Sequence, residues 1–224
     1  MTYHEIIQNH IRSSVKDREI NNVLHFTQLK NLSTIIKYGL MSYNDCDQLK
    51  EIVHASDADR FCDESVSVTV NTFYPKMFAS KRDKNSGPWM ILALEPRLLW
   101  ELECNFYPMN LGTREMKRLI RSNKKTNNGY AFDDMFEDCA PCGVQDGVGY
   151  REKIGLPYTL TTHPDAEIQV RECIPAEWIT DIWIEDMANA DAVQAELNRL
   201  PGPERDVLVQ SFEPRLKYGG KQWG

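Results

Sequence analysis

The stretch NNVLHFTQLKNLSTIIKYGL, residues 21–40, decides how this chain folds. Its first part, NVLHFT, consists mostly of strand formers, and side-chain alternation places His25 and Thr27 on the same side of the predicted strand. Apolar residues then recur at helical spacing, with Asn31 as a suitable N-cap and Gly39 where helices often end in a left-handed residue. The stretch therefore predicts a strand, a tight turn and a short helix.

A second informative stretch is TTHPDAEIQV, residues 161–170, in which Glu167 opens a strand directly after a loop. A carboxylate there can point into a cleft, although an exposed edge glutamate gives the same pattern. His25 is equally compatible with an ordinary hydrogen-bonded strand histidine. Lys76 follows Pro75 in a segment that we predict to be irregular, because proline ends a strand ladder. These polar residues are candidates for a site, and the structural alternatives remain open.

Elsewhere, periodicity predicts helices over 3–16, 113–123 and 190–200, and strands over 65–71, 89–94, 167–173 and 179–186. The polar segment 45–64 predicts a loop or broken helix, and 127–164 predicts one long loop of the kind that is often functional. Strands separated by isolated helices favour an α+β fold over a regular βαβ array. No linker divides the chain, so we expect one domain over 1–224, with an N-terminal helix in 1–20 and a C-terminal helix and tail in 188–224.

The charge balance limits the possible partners. Lysine and arginine number 26 against 33 acidic residues, a net charge of −7, which disfavours broad attraction to nucleic acid. The segment REMKRLIRSNKK is a local exception, because a helix there would align four basic side chains on one face: Arg114, Lys117, Arg118 and Arg121. Such a stripe can contact phosphates, and it can equally be a solvated helix face.

Several common site types lack their motifs. The chain contains no P-loop, no GxGxxG, no GxSxG and no HExxH. These absences disfavour four classes of enzyme: kinases, Rossmann dehydrogenases, α/β-hydrolases and zincin proteases. Cys139 and Cys142 form a CxxC, but no second ligand pair accompanies them, so we expect chance thiols and no bound metal. No apolar run approaches the roughly 20 residues that span a bilayer. We therefore expect a cytoplasmic protein without a membrane segment.

Four segments in order resemble the DarT family of DNA ADP-ribosyltransferases, the toxins of DarT–DarG-type toxin–antitoxin systems. They are HFTQLKNLSTIIKYGL, SVSVTVNTFYPKMF, the basic and DDMF-containing segment, and GLPYTLTTHPDAEIQVRECIPAEWI, and together they span about 23–185. Thymine-modifying members resemble FxPRxPM in the middle motif, whereas this chain reads FYPKMF. In this motif the chain therefore resembles the guanine-directed branch of the family. Lys76 is the expected substitute for the family arginine, and Arg82 is the second candidate.

The resemblance implies an ADP-ribosyltransferase fold, with two small sheets around an NAD cleft and flanking helices, and NAD consumed as a co-substrate. Glu167 would be the catalytic glutamate, and Lys76 would position the pyrophosphate. The implied NAD-binding residues are His25, Phe26, Thr27, Asn31, Gly39, Leu40, Tyr74 and Met77. The implied DNA-binding residues are Arg114, Lys117, Arg118, Arg121, Tyr150, Tyr158 and His163.

The expected activity is transfer of ADP-ribose from NAD to guanine in single-stranded DNA, with release of nicotinamide. The resemblance further implies a toxin, possible action against phage, and an antitoxin of the DarG or another ADP-ribosyl-hydrolase type. We expect a monomer by default. The alternatives keep the fold but change the acceptor to thymine, RNA, protein or water, or make the chain a nucleotide-binding module without activity.

Overall fold

The structure is a computed structural model that describes residues 1–48, 64–73, 75–122, 125–138 and 147–212. Tyr74, Cys139 and Cys142 lie outside the described residues. The helices are α1 (Tyr3–Asp17), α2 (Leu32–Tyr38), α3 (Tyr43–Gln48), α4 (Pro75–Lys84), α5 (Leu98–Glu101), α6 (Arg114–Arg121), α7 (Gly129–Asp134), α8 (Tyr150–Ile154) and α9 (Ala190–Leu197). The strands are β1 (Val23–Gln28), β2 (Val66–Val70), β3 (Trp89–Leu94), β4 (Cys104–Tyr107), β5 (Glu167–Val170), β6 (Ile179–Ile184) and β7 (Asp206–Val209).

The strands follow the order β4-β5-β2-β1-β3-β6-β7. Neighbours pair antiparallel except β6 and β7, which run parallel. The combination of helices with an antiparallel-rich sheet confirms the predicted α+β class. The sheet places β1, which carries the predicted site residues His25, Phe26 and Thr27, at its centre. β2 lies between β1 and β5, the strand that carries Glu167.

The junction between β1 and β2 divides the sheet into two halves. β1 pairs with β3 along all six of its residues, but with β2 only through Val23↔Val70 and Leu24↔Thr69. Within the described part of the chain, the two small sheets expected from the resemblance are therefore two halves of one seven-stranded sheet. Beyond Leu24 the two central strands no longer pair, so side chains can enter between them.

Each face of the sheet has its own core. Alternating residues of the central strands, including Val68, Leu92 and Ile168, face a large apolar cluster on one side. Helices α1, α2, α5, α7 and α9 contribute to that cluster through side chains such as Ile11, Ile35, Leu98, Phe132 and Val193. A smaller cluster on the opposite face contains Leu24, Phe78, Trp89, Ile91, Ala93 and Phe212. This second cluster anchors α4 beside the end of β1.

Several predicted elements differ in the structure. Pro75 does not begin an irregular segment; it is the first residue of α4, a position where its missing N–H costs no helical hydrogen bond. The predicted loop 127–164 contains α7 and α8. Strands β4 and β7 were not predicted, because each is four residues long and lacks a clear alternation. Within the described residues, no helix is long and apolar enough to cross a bilayer.

Candidate active site

Glu167 is the first residue of β5, and both of its carboxylate oxygens are held by hydrogen bonds. Oε1 accepts from the Ser67 hydroxyl at 2.6 Å and from the Gln169 side-chain amide. Oε2 accepts from Asn110 Nδ2 and from the backbone N–H of Leu111, each at 3.0 Å. A carboxylate has about four acceptor positions, so these four donors fix its orientation.

The alternation of β-strands explains why these partners meet. Ser67 and Gln169 are opposite each other in the β2–β5 pair, and their side chains lie on the same face as Glu167, away from the large core. Gln169 Nε2 also donates to Ser67 Oγ at 2.7 Å, while its amide oxygen accepts from Ser65. Ser67 and Gln169 on neighbouring strands, together with Ser65 directly before β2, thus form one polar network around the carboxylate.

Ser67 also joins Glu167 to the first quoted stretch. Its backbone carbonyl accepts from His25 Nδ1 at 2.8 Å, where β1 and β2 have ceased to pair. A carbonyl can only accept, so Nδ1 carries the proton and Nε2 presents a lone pair. Burial lowers the pKa of His25 to about 4, an effect that the Ser67 carbonyl opposes and that the Lys81 ammonium reinforces. His25 is therefore neutral at physiological pH.

Asn31 has a different local role from the one predicted. It precedes α2 but makes no side-chain capping bond; instead, Nδ2 donates to Thr27 Oγ1 at 2.9 Å. Asn31 is 6% exposed, so it is a buried support for the Thr27 hydroxyl. Thr27 and Asn31 are therefore in direct contact, whereas the side-chain N-cap that the local pattern predicted for Asn31 is wrong.

Gly39 ends α2 with φ of +86°, as predicted for its terminal glycine. A Cβ at this position would come within 2.7 Å of Cys173 Sγ and of the Ile174 carbonyl, so only glycine fits. Leu40 is buried and forms an isolated antiparallel bridge with Ile174. The visible contacts of these two residues tie α2 to the chain after β5, and their contact with NAD stays a prediction.

Helix α4 supplies the basic candidates. Lys76 is exposed in its first turn, and the Met77 sulfur lies 3.7 Å from Asn110 Nδ2, next to Glu167. Arg82 is engaged elsewhere, in an ion pair with Glu185 at 2.5 Å and over the Phe78 ring. The geometry therefore favours Lys76 over Arg82 as a ligand for a substrate.

Lys81 is a basic residue of α4 that the sequence interpretation missed. Its ammonium lies 5.8 Å from the centre of the Phe26 ring and acts electrostatically on His25. Phe26 itself is half-buried and packs on Phe78 at 4.7 Å between ring centres. Lys81 therefore lies close to Phe26 and His25, two of the predicted NAD contacts.

Helix α6 carries the predicted basic stripe. Thr113 caps the helix through a bond from Met116 N, and Met116 is buried in a small apolar cluster. The opposite side contains the predicted stripe, in which Lys117 is half-buried and the three arginines are exposed: Arg114, Arg118 and Arg121. Asn110 and Leu111, shortly before this helix in the chain, both donate hydrogen bonds to Glu167. The first arginine of the stripe therefore follows closely along the chain after residues that contact the carboxylate.

The three predicted base contacts in the long loop differ in exposure. Tyr158 is 58% exposed, and one face of its ring packs on the Arg18 guanidinium at 4.5 Å. Tyr150 is half-buried and packs against Leu156 and Leu160. His163 is only 2% exposed, so its side chain does not lie on a DNA-accessible surface. The geometry thus supports Tyr158 and not His163 as a base contact.

Arg151 holds this loop in place. Its guanidinium donates to the backbone carbonyls of Pro157 and Leu160, each at 2.8 Å, and to Thr162 Oγ1 at 3.0 Å. Burial and the nearby Arg18 lower the pKa of Arg151. The loop is therefore built around a half-buried charged side chain.

His163 lies beneath the same loop, next to Asp165. His163 Nδ1 is 3.9 Å from Asp165 Oδ1. Burial lowers the pKa of His163 and raises that of Asp165, so burial disfavours the charged form of both. The pair is a buried support for the chain that enters β5 and carries Glu167.

Sequence reasoning missed five residues that contact Glu167 or act on His25: Ser67, Gln169, Asn110, Leu111 and Lys81. The two-residue period of strands offered a signal for Ser67 and Gln169, because they alternate with buried valine and isoleucine. Asn110 and Leu111 left no local signal, since their contact with Glu167 exists only in three dimensions. Among the described residues, no group of three or more histidine, cysteine, aspartate or glutamate side chains is placed to hold a metal ion.

The comparison with protein families now identifies the chain's relatives. A family described as "ssDNA thymidine ADP-ribosyltransferase, DarT" matches residues 24–213. The chain belongs to the DarT family. The predicted enzyme class, a DNA ADP-ribosyltransferase, is thereby confirmed at the level of the family. The family description names thymidine, so the comparison does not support the guanine-directed branch.

Solved DarT structures share the fold at low identity. Thermus sp. 2.9 DarT in complex with carba-NAD+ has a TM-score of 0.51 and 13% identity, covering 86% of this chain and 96% of that chain. The same protein in complex with NAD+ has a TM-score of 0.50 and 15% identity, covering 86% of this chain and 96% of that chain. These likenesses confirm the ADP-ribosyltransferase fold.

The chain spans about half of a longer relative, Thermosipho africanus DarTG in complex with ADP-ribose. That match has a TM-score of 0.49 and 14% identity and covers 84% of this chain and 50% of that chain. No curated protein sequence matches the chain.

Proposed function

We propose that this DarT-family protein transfers ADP-ribose from NAD to a base in single-stranded DNA and releases nicotinamide. One observation carries the proposal: Ser67 binds His25 through its carbonyl and Glu167 through its hydroxyl. The two polar stretches that resemble the family are thus walls of one cleft, at the point where β1 and β2 separate. Such a cleft is suited to a nucleotide whose reacting ribose lies at Glu167.

The chemical step follows from the position of that carboxylate. The bond between the ribose anomeric carbon and the nicotinamide nitrogen breaks, and its electron pair leaves with nicotinamide, which becomes neutral. Positive charge develops on the ribose, and a fixed, negatively charged Glu167 stabilises it in the transition state. A nitrogen of the base bonds to the anomeric carbon and passes its proton to the carboxylate, which returns it to solvent.

The remaining cleft residues are proposed to hold NAD. His25 Nε2 and the Thr27 hydroxyl face the adenosine side, with Asn31 orienting Thr27. Lys76, in the first turn of α4, binds the pyrophosphate, where the positive end of the helix adds to its charge. Met77 lies close to Asn110 and therefore near the nicotinamide ribose. Phe26, Gly39, Leu40 and Tyr74 are proposed to line the same pocket.

The DNA strand is proposed to run along α6 and reach the cleft beside Asn110. The stripe of Arg114, Lys117, Arg118 and Arg121 supplies phosphate contacts on a chain whose net charge is negative. The exposed Tyr158 ring supplies a surface on which an unpaired base stacks. A single strand is the natural substrate because the reacting edge of a base is hidden in a duplex.

We propose guanine as the target base, because FYPKMF lacks the arginine of the thymine-directed motif. Thymine is the competing candidate, and the family description favours it. We further propose a cytoplasmic, monomeric toxin with an antitoxin of the DarG or another ADP-ribosyl-hydrolase type, acting against phage.

The decisive experiment is incubation of the protein with NAD and four single-stranded oligonucleotides, each made of only one of the four bases, followed by mass measurement. The addition of ADP-ribose to the guanine oligonucleotide alone supports the full proposal. Modification of thymine alone keeps the activity and overturns the guanine assignment. Cleavage of NAD with no modified oligonucleotide overturns DNA as the acceptor.

The catalytic role of Glu167 is tested with Glu167→Gln, which keeps the side-chain shape but removes the charge. We expect transfer to fall by about 1,000-fold, within the range for loss of a transition-state contact. Alanine is a poorer choice because it removes the shared acceptor of four donors, among them the side-chain amide of the buried Gln169 and the N–H of the buried Leu111. A Glu167→Gln variant with wild-type activity would contradict the mechanism.

A further inference from the structure

Asn110 lies where contacts from three parts of the fold converge. Its amide nitrogen donates to Glu167 Oε2 at 3.0 Å and is 3.7 Å from the Met77 sulfur on α4. Its amide oxygen accepts from Gly112 N at 2.8 Å, and its backbone carbonyl accepts from Thr113 N at 3.0 Å. Asn110 therefore connects the catalytic carboxylate with the chain that begins α6.

The orientation of the Asn110 amide is determined by its surroundings. The Gly112 N–H can only donate, so it must face the amide oxygen, which leaves the NH₂ group directed at Glu167. A Cβ at Gly112 would come within 2.9 Å of that oxygen, so the glycine permits this close turn. The turn thus presents an N–H donor, and not a carbonyl, to the carboxylate.

Asn110 and Leu111 together hold one oxygen of Glu167 while the sheet holds the other. Oε2 receives its two hydrogen bonds from this segment, and Oε1 receives its two from Ser67 and Gln169. Without the Asn110 amide, Oε2 keeps only the Leu111 N–H, and the carboxylate can turn about its last side-chain bond. The arrangement of donors on both oxygens is what preorganises a charge for a transition state.

We propose that Asn110 is a positioning residue for ADP-ribose transfer, which acts by fixing the orientation of the Glu167 carboxylate. This inference rests on the proposed catalytic role of Glu167. Asn110 itself is not required to contact NAD or the base. Its loss therefore affects the chemical step and leaves the binding of both substrates intact.

Asn110→Ala is the first test. We expect kcat to fall by about 100-fold, the cost typical of a small misplacement of a catalytic group. The KM values for NAD and for the oligonucleotide should stay within about twofold of wild type, because the cleft walls are unchanged. A variant that keeps wild-type kcat, or loses activity only through KM, overturns the proposal.

Asn110→Asp is the second test, and it uses a side chain of nearly the same shape. The new carboxyl would lie about 3 Å from that of Glu167, and two carboxyls so close share a proton. Asp165, which accepts a hydrogen bond from the Asn110 backbone, adds negative charge nearby. We expect the acidic limb of the kcat–pH profile to move to higher pH. A profile that coincides with wild type contradicts a contact between position 110 and the catalytic carboxylate.

Two further variants separate this inference from the proposed function. Asn198→Ala removes an exposed asparagine at the end of α9 and should retain wild-type kcat and pH profile. If the wild-type protein modifies no oligonucleotide, the proposed function itself fails. If the wild type is active, Glu167→Gln is inactive and Asn110→Ala turns over like Asn198→Ala, only the role of Asn110 is overturned.

Discussion

Beyond Leu24, β1 and β2 no longer pair through their backbones, and the His25 side chain connects the two strands instead. Its Nδ1–H donates to the Ser67 carbonyl, so the neutral ring spans the junction that opens the cleft. The ring is held neutral because burial and the nearby Lys81 ammonium both disfavour its protonated form. The same residue therefore serves the stability of the fold and the shape of the proposed nucleotide site.

This arrangement gives stability a specific pH dependence. The pKa of His25 falls from 6.5 in the unfolded chain to about 4 in the folded protein, so its contribution is complete above 6.5 and is lost as the pH falls towards 4. The loss approaches about 1.4 kcal/mol per pH unit in the middle of that window. Urea unfolding of wild type and His25→Asn, whose amide can replace Nδ1–H, measures the difference. Parallel stability curves for the two proteins between pH 4 and 6.5 would contradict it.

Lys76 is the basic residue that we propose to bind the NAD pyrophosphate, and single substitutions test this role. Lys76 is exposed, so Lys76→Ala should leave the free energy of unfolding within about 0.5 kcal/mol of wild type. We expect kcat/KM for NAD to fall by at least about 10-fold, because a charge on the pyrophosphate is lost. Steady-state kinetics and thermal unfolding provide the two measurements.

Arg82→Ala and Lys81→Ala are the comparison variants for Lys76. Arg82 binds Glu185, which in turn accepts a hydrogen bond from the backbone N–H of Phe212. We therefore expect Arg82→Ala to lower the free energy of unfolding more than it lowers activity. Lys81 lies beside Phe26 and His25. A silent Lys76→Ala together with a folded but inactive Lys81→Ala would transfer the assigned role to Lys81.

At the scale of elements, α6 combines a buried apolar side with a basic, exposed side. The helix begins shortly after Leu111, whose backbone N–H donates to Glu167. The double charge reversal Arg118→Glu and Arg121→Glu should weaken single-strand binding, because two phosphate contacts are replaced by repulsion. The slope of log affinity against log salt should become shallower by about 1.4, since each contact on a single strand contributes about 0.7. Fluorescence anisotropy over a salt series measures both quantities.

A matched control for α6 is available on α1. Arg12 and Lys16 are a pair of exposed basic residues on another helix, and their reversal changes the net charge by the same amount. We expect this variant to keep the wild-type salt slope. Equal effects of the two double variants would show that net charge, and not the stripe on α6, governs DNA binding.

The predictability of elements depended on length and periodicity. Strand β3 and helix α1 follow long, regular patterns, and both occur where they were predicted. Strand β4 has four residues and β7 pairs parallel to β6 at the edge of the sheet, so the partner and not the local pattern makes each a strand. Pro75 can end one element or begin the next, and only its neighbours in space selected the start of α4.

At the scale of the whole molecule, β1 and β2 pair through only two residue pairs, so the two half-sheets share few backbone contacts. The side-chain contact from His25 to the Ser67 carbonyl adds to them. A ligand that contacts both halves should stabilise the entire domain, by about 2.7 kcal/mol at a ligand concentration 100 times its Kd. We expect an uncleavable NAD analogue to raise Tm equally in wild type and Glu167→Gln, and less in His25→Asn. Differential scanning fluorimetry over a ligand series measures this. An unchanged Tm at saturation would contradict a nucleotide site at the junction.

The sequence by itself determined the α+β class, the strand–turn–helix of residues 21–40, the family, and the choice of His25, Thr27 and Glu167 as candidates. These follow from local periodicity and from ordered motifs, which are properties of neighbouring residues. Tertiary structure alone decided that Ser67 joins His25 to Glu167, that Asn110 faces the carboxylate, and that His163 is buried. The physical reason is that hydrogen bonds and burial depend on which distant segments meet, and no local pattern encodes those partners.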